Sequence, residues 1–133
     1  MTKEQEKKSI LSELIELSKA DGEVSEQEIG LIKQMGNMLG LTDQEILAIF
    51  EKPVSFDPPT SHFDRIIQFH RLVLLMNVDG KVSPAELRHL RFVGVKMGLN
   101  QQAIQEVLRK MYDFPNNLIP PEVLIDIYKK HMN

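Results

Sequence analysis

The fold is decided by the stretch Asp21-Gly22-Glu23-Val24-Ser25-Glu26-Gln27-Glu28, because its pattern recurs as Asp79-Gly80-Lys81-Val82-Ser83-Pro84-Ala85-Glu86. The two copies lie 58 residues apart, and at this offset residues 10–57 align with residues 68–115 without a gap. Fourteen of the 48 aligned positions are identical, against about three expected from average composition. The chain is therefore predicted to contain a duplicated structural unit.

Each copy of this motif is typical of a corner between two helices. Apolar residues precede and follow it at the three- and four-residue spacing of an amphipathic helix. Gly22 is predicted to end the first helix in a left-handed conformation, as is its counterpart Gly80. Ser25 and Glu28 form the capping-box pattern that begins a helix, and the second copy repeats it. A further capping pattern at Thr42 predicts a third helix in the unit.

The predicted fold class is all-α, with about seven helices in a single bundle. Residues 1–133 are expected to form one domain, since a chain of this length rarely splits. The first three-helix unit is predicted over about residues 8–57, and its pseudo-repeat over about residues 66–115. A last helix is predicted at about residues 120–131, starting near Pro120 or Pro121.

Composition excludes several classes of function. The chain has no Cys, which rules out disulfides, thiolate zinc sites, iron–sulfur clusters and cysteine nucleophiles. Its net charge of −3 argues against a nucleic-acid partner, since such proteins are usually strongly basic. No apolar run is long enough for membrane insertion, and the charged start lacks the apolar stretch of a secretory signal. The expected location is therefore cytoplasmic.

The repeated motif is similar to the second half of a calcium-binding EF-hand loop. A complete loop also needs oxygen ligands at its first and third positions. Those positions hold Leu17 and Lys19 in the first copy, and Leu75 and Asn77 in the second. Because leucine and lysine cannot supply oxygen ligands, the motif does not predict a complete EF-hand.

Asp21 and Asp79 are not explained by helix capping alone. A carboxylate near the end of a helix faces the negative pole of the helix dipole, which costs a few tenths of a kcal/mol to about 1 kcal/mol. Two interactions could offset this cost: backbone N–H groups at the start of the next helix, or a bound cation. Both alternatives stay open at this point, with capping favoured because two carboxylates make a poor metal site alone.

The duplicated helix-D-G-x-V-S-x-x-E-helix pattern, followed by L-G-L or M-G-L, resembles the tellurite-resistance TerB-like family over about residues 8–115. This resemblance implies a small all-helical bacterial domain tied to tellurite and other stress responses, with no agreed biochemical activity. It also implies that the acidic corner residues are divalent-cation ligands. The residues that match are Asp21, Glu28, Asp79 and Glu86. The chain departs from the pattern at Lys81, which puts a positive charge inside the second corner.

Two functions are consistent with these residues. The first is a non-enzymatic cytoplasmic interaction or sensing module that weakly binds a divalent cation, namely calcium, magnesium or manganese, at the acidic corners. The alternative is a metal-dependent enzyme that acts on an anionic, phosphorylated substrate through the same corners. An enzyme needs an acid or base that converges with the metal ligands. The sequence offers two carboxylates per corner and no such partner, which favours the first function.

Charge is divided unevenly along the chain. Residues 1–67 carry 7 basic and 13 acidic groups, a net −6, whereas residues 68–133 carry 9 and 6, a net +3. The basic residues Arg88, Arg91 and Lys96 fall within one predicted helix. This division is expected either from ordinary solvated helix faces or from a surface that docks another protein or a second copy of the chain.

Overall fold

Nearly the whole chain is described by a computed structural model, which covers residues 2–20 and 22–131. This part of the chain contains seven α-helices, two short 3-10 helices and no strand, so the predicted all-α class with seven helices is confirmed. None of these helices is both long and apolar enough to cross a membrane. The helices are α1 (Lys3–Ser18), α2 (Glu26–Met38), α3 (Asp43–Glu51), α4 (His62–Asn77), α5 (Pro84–Lys96), α6 (Gln101–Lys110) and α7 (Pro121–Lys130), with 3-10 helices at Met111–Asp113 and Pro115–Asn117.

Helices α1 and α4 form the centre of the bundle. Helix α1 packs against α2, α3, α4 and α5, and helix α4 packs against α1, α2, α5 and α7. Their inward-facing apolar side chains are fully buried, which makes them the main contributors to a continuous core. The buried side chains of these two helices include Leu11, Leu14, Ile15, Leu17, Phe69, Leu72, Leu75 and Met76.

The helix boundaries follow the offset of 58 residues in the sequence. Helix α2 begins at residue 26 and α5 at residue 84, and they end at residues 38 and 96. Helices α3 and α6 begin at residues 43 and 101. This agreement is what a duplication predicts, although the pseudo-repeat itself stays a prediction.

The ends of α2 and α5 have the same glycine-dependent geometry. Gly40 has a φ of 91°, and the Leu41 N–H donates to the Gly36 carbonyl oxygen over 2.9 Å. After α5, Gly98 has a φ of 73°, and the Leu99 N–H reaches the carbonyl oxygen five residues earlier over 3.0 Å. Both are Schellman endings, which satisfy carbonyl groups that the helix leaves unpaired.

The helices that precede the two acidic corners, α1 and α4, end earlier than predicted. Gly22 and Gly80 do have the predicted positive φ, of 91° and 73°. However, α1 ends at Ser18, so Gly22 lies beyond the C-cap residue Lys19 rather than directly after it. The Gly22 N–H donates to the Lys19 carbonyl oxygen, so each glycine closes a turn that follows the helix. The predicted position of the helix end was wrong because that turn uses residues assigned to the helix.

The linker between α3 and α4 is fixed to α1 by two serines. The Ser9 hydroxyl accepts the Asp57 N–H over 2.8 Å, and the Ser12 hydroxyl accepts the Val54 N–H over 3.1 Å. Each hydroxyl also donates to the carbonyl oxygen of the same linker residue. Both serines are almost fully buried, so these bonds hold the linker against the bundle.

Candidate functional site

The first acidic corner connects α1 to α2, and its glutamate is built into the start of α2. The Glu28 Oε1 atom accepts the Ser25 N–H over 2.9 Å, while the Glu28 N–H donates to the Ser25 Oγ atom over 3.1 Å. Glu28 is only 3% exposed. The predicted capping box is therefore confirmed. The other predicted ligand of this corner, Asp21, lies outside the described residues.

The second corner, between α4 and α5, repeats the capping box. The Glu86 Oε1 atom accepts the Ser83 N–H over 3.0 Å, and the Glu86 N–H donates to the Ser83 Oγ atom over 3.0 Å. The Asp79 Oδ1 atom accepts the Lys81 N–H over 3.0 Å. A local hydrogen bond within the turn therefore stabilises the Asp79 carboxylate. This bond is a third interaction that can offset the unfavourable position of the carboxylate near the negative end of the helix dipole.

These contacts define what the corners can do chemically. Within residues 2–20 and 22–131, no group of three or more His, Asp or Glu side chains is placed to hold a metal ion. One oxygen of each corner glutamate already accepts a backbone N–H. The assignment of Asp21, Glu28, Asp79 and Glu86 as cation ligands therefore stays a prediction.

A cavity of about 700 Å³ lies beside the second corner. It runs between α2, the end of α4 and the second 3-10 helix. Among the residues that the structure describes, no lining side chain is an acid, a base or a nucleophile. The lining residues are Leu31, Leu74, Asn77, Val78, Gly80, Asn116, Asn117 and Leu118.

Sequence reasoning missed a polar contact between α1 and α5. The His89 Nε2 atom lies 2.6 Å from the Glu13 Oε1 atom, and the Glu13 side chain is only 8% exposed. A carboxylate can only accept here, so the imidazole donates. One signal was available, since Glu13 interrupts the run of apolar residues that faces the core. His70 on α4 is half-buried, and burial lowers its pKa.

Two exposed helix faces combine charge with a large apolar side chain. We call Arg88, Phe92 and Lys96 the α5 face, and Asp43, Leu47 and Glu51 the α3 face. Phe92 is 65% exposed and Leu47 is 59% exposed. The four charged residues are exposed as well. The basic helix was identified from the sequence, but the apolar side chain at the centre of each face was not.

The fold and corners can be compared with known proteins. The family model described as Tellurite resistance protein TerB matches residues 1–49, which span α1, the first corner, α2 and most of α3. The predicted TerB-like resemblance is therefore confirmed over residues 1–49. No curated protein and no solved structure matches the chain.

Proposed function

We propose that this protein is a non-enzymatic cytoplasmic interaction or sensing module, resembling TerB-like tellurite- and stress-resistance proteins. The observation that carries the proposal is the α5 face, on which Phe92 is 65% exposed between two basic side chains. Aromatic and arginine side chains supply much of the binding energy at protein interfaces. An exposed aromatic residue bordered by cations is thus suited to docking an acidic protein surface.

In this proposal the acidic corners have a structural role: they hold consecutive helices in a fixed orientation. Each capping box fixes the angle at which α2 or α5 leaves its corner, and both glutamates are almost fully buried. The described residues that line the cavity beside the second corner include no acid or base that could assist a metal-bound substrate. These observations favour the binding function over the metal-dependent enzyme.

Cation binding enters this proposal as a weak property of the first corner. Residues 21–28 carry a formal charge of −4, from Asp21, Glu23, Glu26 and Glu28, whereas residues 79–86 carry −1. Calcium, magnesium and manganese prefer dense carboxylate oxygen ligands. In the second corner, Lys81 adds a positive charge and its N–H already occupies an Asp79 oxygen. The first corner should consequently bind a divalent cation more tightly.

Calorimetric titration with calcium, magnesium and manganese tests the order of the two corners. The samples are the wild type, Asp21→Asn and Asp79→Asn, the second being the matched control. The expected result is weak binding that Asp21→Asn abolishes and Asp79→Asn leaves in place. Loss of binding only in Asp79→Asn would reverse the proposed order. If the wild type releases no heat, the corners have a structural role and bind no cation.

An activity assay distinguishes the proposed interaction or sensing module from the alternative, a metal-dependent enzyme. A chromogenic phosphate monoester is incubated with the protein and manganese, and the wild type is compared with Asp21→Asn and Glu28→Gln. We expect no turnover above buffer in any sample. Turnover by the wild type that both substitutions remove would establish the metal-dependent enzyme instead.

Site-specific crosslinking tests the docking face directly. Benzoylphenylalanine is placed at position 92 of the protein in the cells that encode it, and at the exposed position 122 of α7 as a control. We expect discrete crosslinked species from position 92 that Arg88→Glu removes. The same pattern from position 122 would show that the α5 face has no special role.

The offset of 58 residues also leads us to propose that the two three-helix units arose by duplication. The matched boundaries of α2 and α5, and their matched glycine endings, support it. Superposition of residues 10–50 on residues 68–108 should give closely similar backbones. A poor fit would contradict the duplication.

A further inference from the structure

We propose that the α5 face of one copy of this chain docks against the α3 face of a second copy. This proposal rests on the proposed interaction function and names its partner. It begins from a correspondence between α3 and α5, which share no extensive packing among the described residues of one chain.

The two faces have the same layout with opposite charge. In each, three exposed residues occur at intervals of four positions, so they lie along one side of the helix over about 12 Å. Each face has an apolar side chain at its centre, Leu47 or Phe92, and like charges at both ends. The ends are acidic on the α3 face and basic on the α5 face. The match in length and the inversion of charge make the faces complementary.

The charges on both faces remain available for a partner. Among residues 2–20 and 22–131, none of the four charged side chains of the two faces takes part in an ion pair. The Lys96 Nζ atom lies 5.5 Å from the centre of the Phe56 ring, yet the residue stays exposed. This cation–π contact restricts the motion of the ammonium group, which reduces the ordering cost of binding.

Docking would place Leu47 against Phe92 and bring the acidic ends next to the basic ends. Because both ends of a face have the same sign, the charges pair in either direction along the helix, and the two apolar side chains set the register. The apolar centre supplies affinity, whereas the charges supply orientation and a dependence on salt.

The expected association is weak. Two short helix faces cover less than the roughly 800 Å² per partner of a standard interface. Every copy carries both faces, so two such contacts related by a twofold axis would close a dimer, and a single contact would extend a chain. Association should consequently rise with protein concentration and fall with salt.

Sedimentation velocity over a concentration series that reaches the millimolar range, at low and high salt, provides the test. The wild type should associate at low salt, and Leu47→Gln or Phe92→Gln should weaken association about 30-fold, the loss typical of a central anchor. Met38→Gln is the matched control, because Met38 is 80% exposed and lies outside both faces. Circular dichroism checks that each variant keeps its helices.

Charge reversal gives a second, independent readout. Arg88→Glu with Lys96→Glu should abolish association, and adding Asp43→Lys with Glu51→Lys to the same chain should restore it. The four changes together return the net charge to −3. The matched control therefore replaces the last two changes with Asp113→Lys and Glu122→Lys, at exposed positions outside both faces, and should not restore association.

Three results would overturn the proposal. The first is a wild type that stays monomeric throughout, and the second is a Met38→Gln variant that associates as weakly as Phe92→Gln. The third is a monomer that pellets with anionic phospholipid vesicles through Phe92, which would assign the α5 face to a membrane surface. A monomeric wild type that still gives crosslinks to another protein from position 92 would refute self-association and leave the proposed interaction function standing.

Discussion

The Glu13 Oε1 atom lies 2.6 Å from the His89 Nε2 atom and thereby connects α1 to α5. Glu13 belongs to α1 and His89 to α5, two helices that pack together across the centre of the bundle. The glutamate side chain is 8% exposed and the histidine side chain is 26% exposed. The histidine therefore provides the hydrogen bond that a nearly buried carboxylate needs.

Removal of this histidine should destabilise the protein. His89→Ala leaves the Glu13 carboxylate nearly buried without its imidazole donor, and loss of such a partner typically costs about 1–3 kcal/mol. The free energy of unfolding, measured by urea denaturation, should fall by that amount. The matched control is His62→Ala, because His62 is exposed at the start of α4.

A double-mutant cycle separates this hydrogen bond from simple loss of packing. Glu13→Gln combined with His89→Ala should be less destabilising than the sum of the two single changes, because no charge is left buried. Additive effects would show that the pair contributes no specific interaction.

Gly36 and Gly94 allow an isoleucine side chain to lie directly against a helix backbone. A Cβ atom at Gly36 would lie 2.6 Å from the Ile46 Cδ1 atom, and one at Gly94 would lie 2.5 Å from the Ile104 Cδ1 atom. Alanine favours a helix by about 1 kcal/mol over glycine, but overpacking costs about 1–3 kcal/mol. Gly36→Ala should therefore lower the free energy of unfolding.

The same helix offers a matched control for this prediction. Gly30 lies in α2 with open space around its Cα, so Gly30→Ala should stabilise the protein by up to about 1 kcal/mol. Ile46→Val removes the Cδ1 atom and should partly rescue Gly36→Ala. If Gly36→Ala and Gly30→Ala are equally stabilising in urea denaturation, the close packing of Ile46 is not rigid.

The sequence predicted those parts of the structure that depend on neighbouring residues. The caps at Ser25 and Ser83 were predicted correctly because a capping box joins a serine to a glutamate only three residues later. Such a local interaction depends little on the rest of the chain. The positive φ of Gly22 was found for the same reason. The predicted end of α1 was wrong, because the residues of the motif are compatible both with a last helical turn and with a separate turn after the helix.

The contacts that sequence reasoning missed join residues far apart in the chain. Glu13 and His89 are 76 positions apart, and Ser9 and Asp57 are 48 positions apart. No periodic pattern specifies which of several helix faces will meet, so these partners required the structure. Gly36 and Gly94 are equivalent at the offset of 58 residues, but the reason for a glycine at position 36 depends on Ile46, which belongs to the next helix.

Both corner serines should contribute measurably to stability. Ser25→Ala and Ser83→Ala each remove the hydroxyl that accepts an N–H at the start of a helix, which typically costs about 0.5–2 kcal/mol. The urea midpoint should fall in both variants. Ser55→Ala is the matched control, because Ser55 is exposed in the linker and should leave the midpoint unchanged. Unchanged midpoints in both corner variants would contradict the structural role of the capping boxes.

The last helix is attached to α6 by a carboxylate that contacts a lysine and a histidine. The Glu106 Oε1 atom lies 2.8 Å from the Lys130 Nζ atom and 3.0 Å from the His131 Nε2 atom. Hydrogen bonds from Lys130 and then His131 lower the pKa of Glu106 from 4.5 to about 2. The folded protein therefore binds a proton at Glu106 less readily than the unfolded chain does.

This difference predicts a specific dependence of stability on pH. A carboxyl group with a lowered folded pKa contributes stability above its unfolded pKa, and that contribution is lost as the pH falls through the folded pKa. The contribution of Glu106 should thus be complete above about pH 4.5 and disappear as the pH approaches 2. The urea midpoint of Glu106→Gln should lie below that of the wild type at neutral pH, and the two should converge over this range. Glu122→Gln on the exposed side of α7 is the control and should show a constant difference. A constant difference for Glu106→Gln as well would mean that Lys130 and His131 do not stabilise the ionised carboxylate.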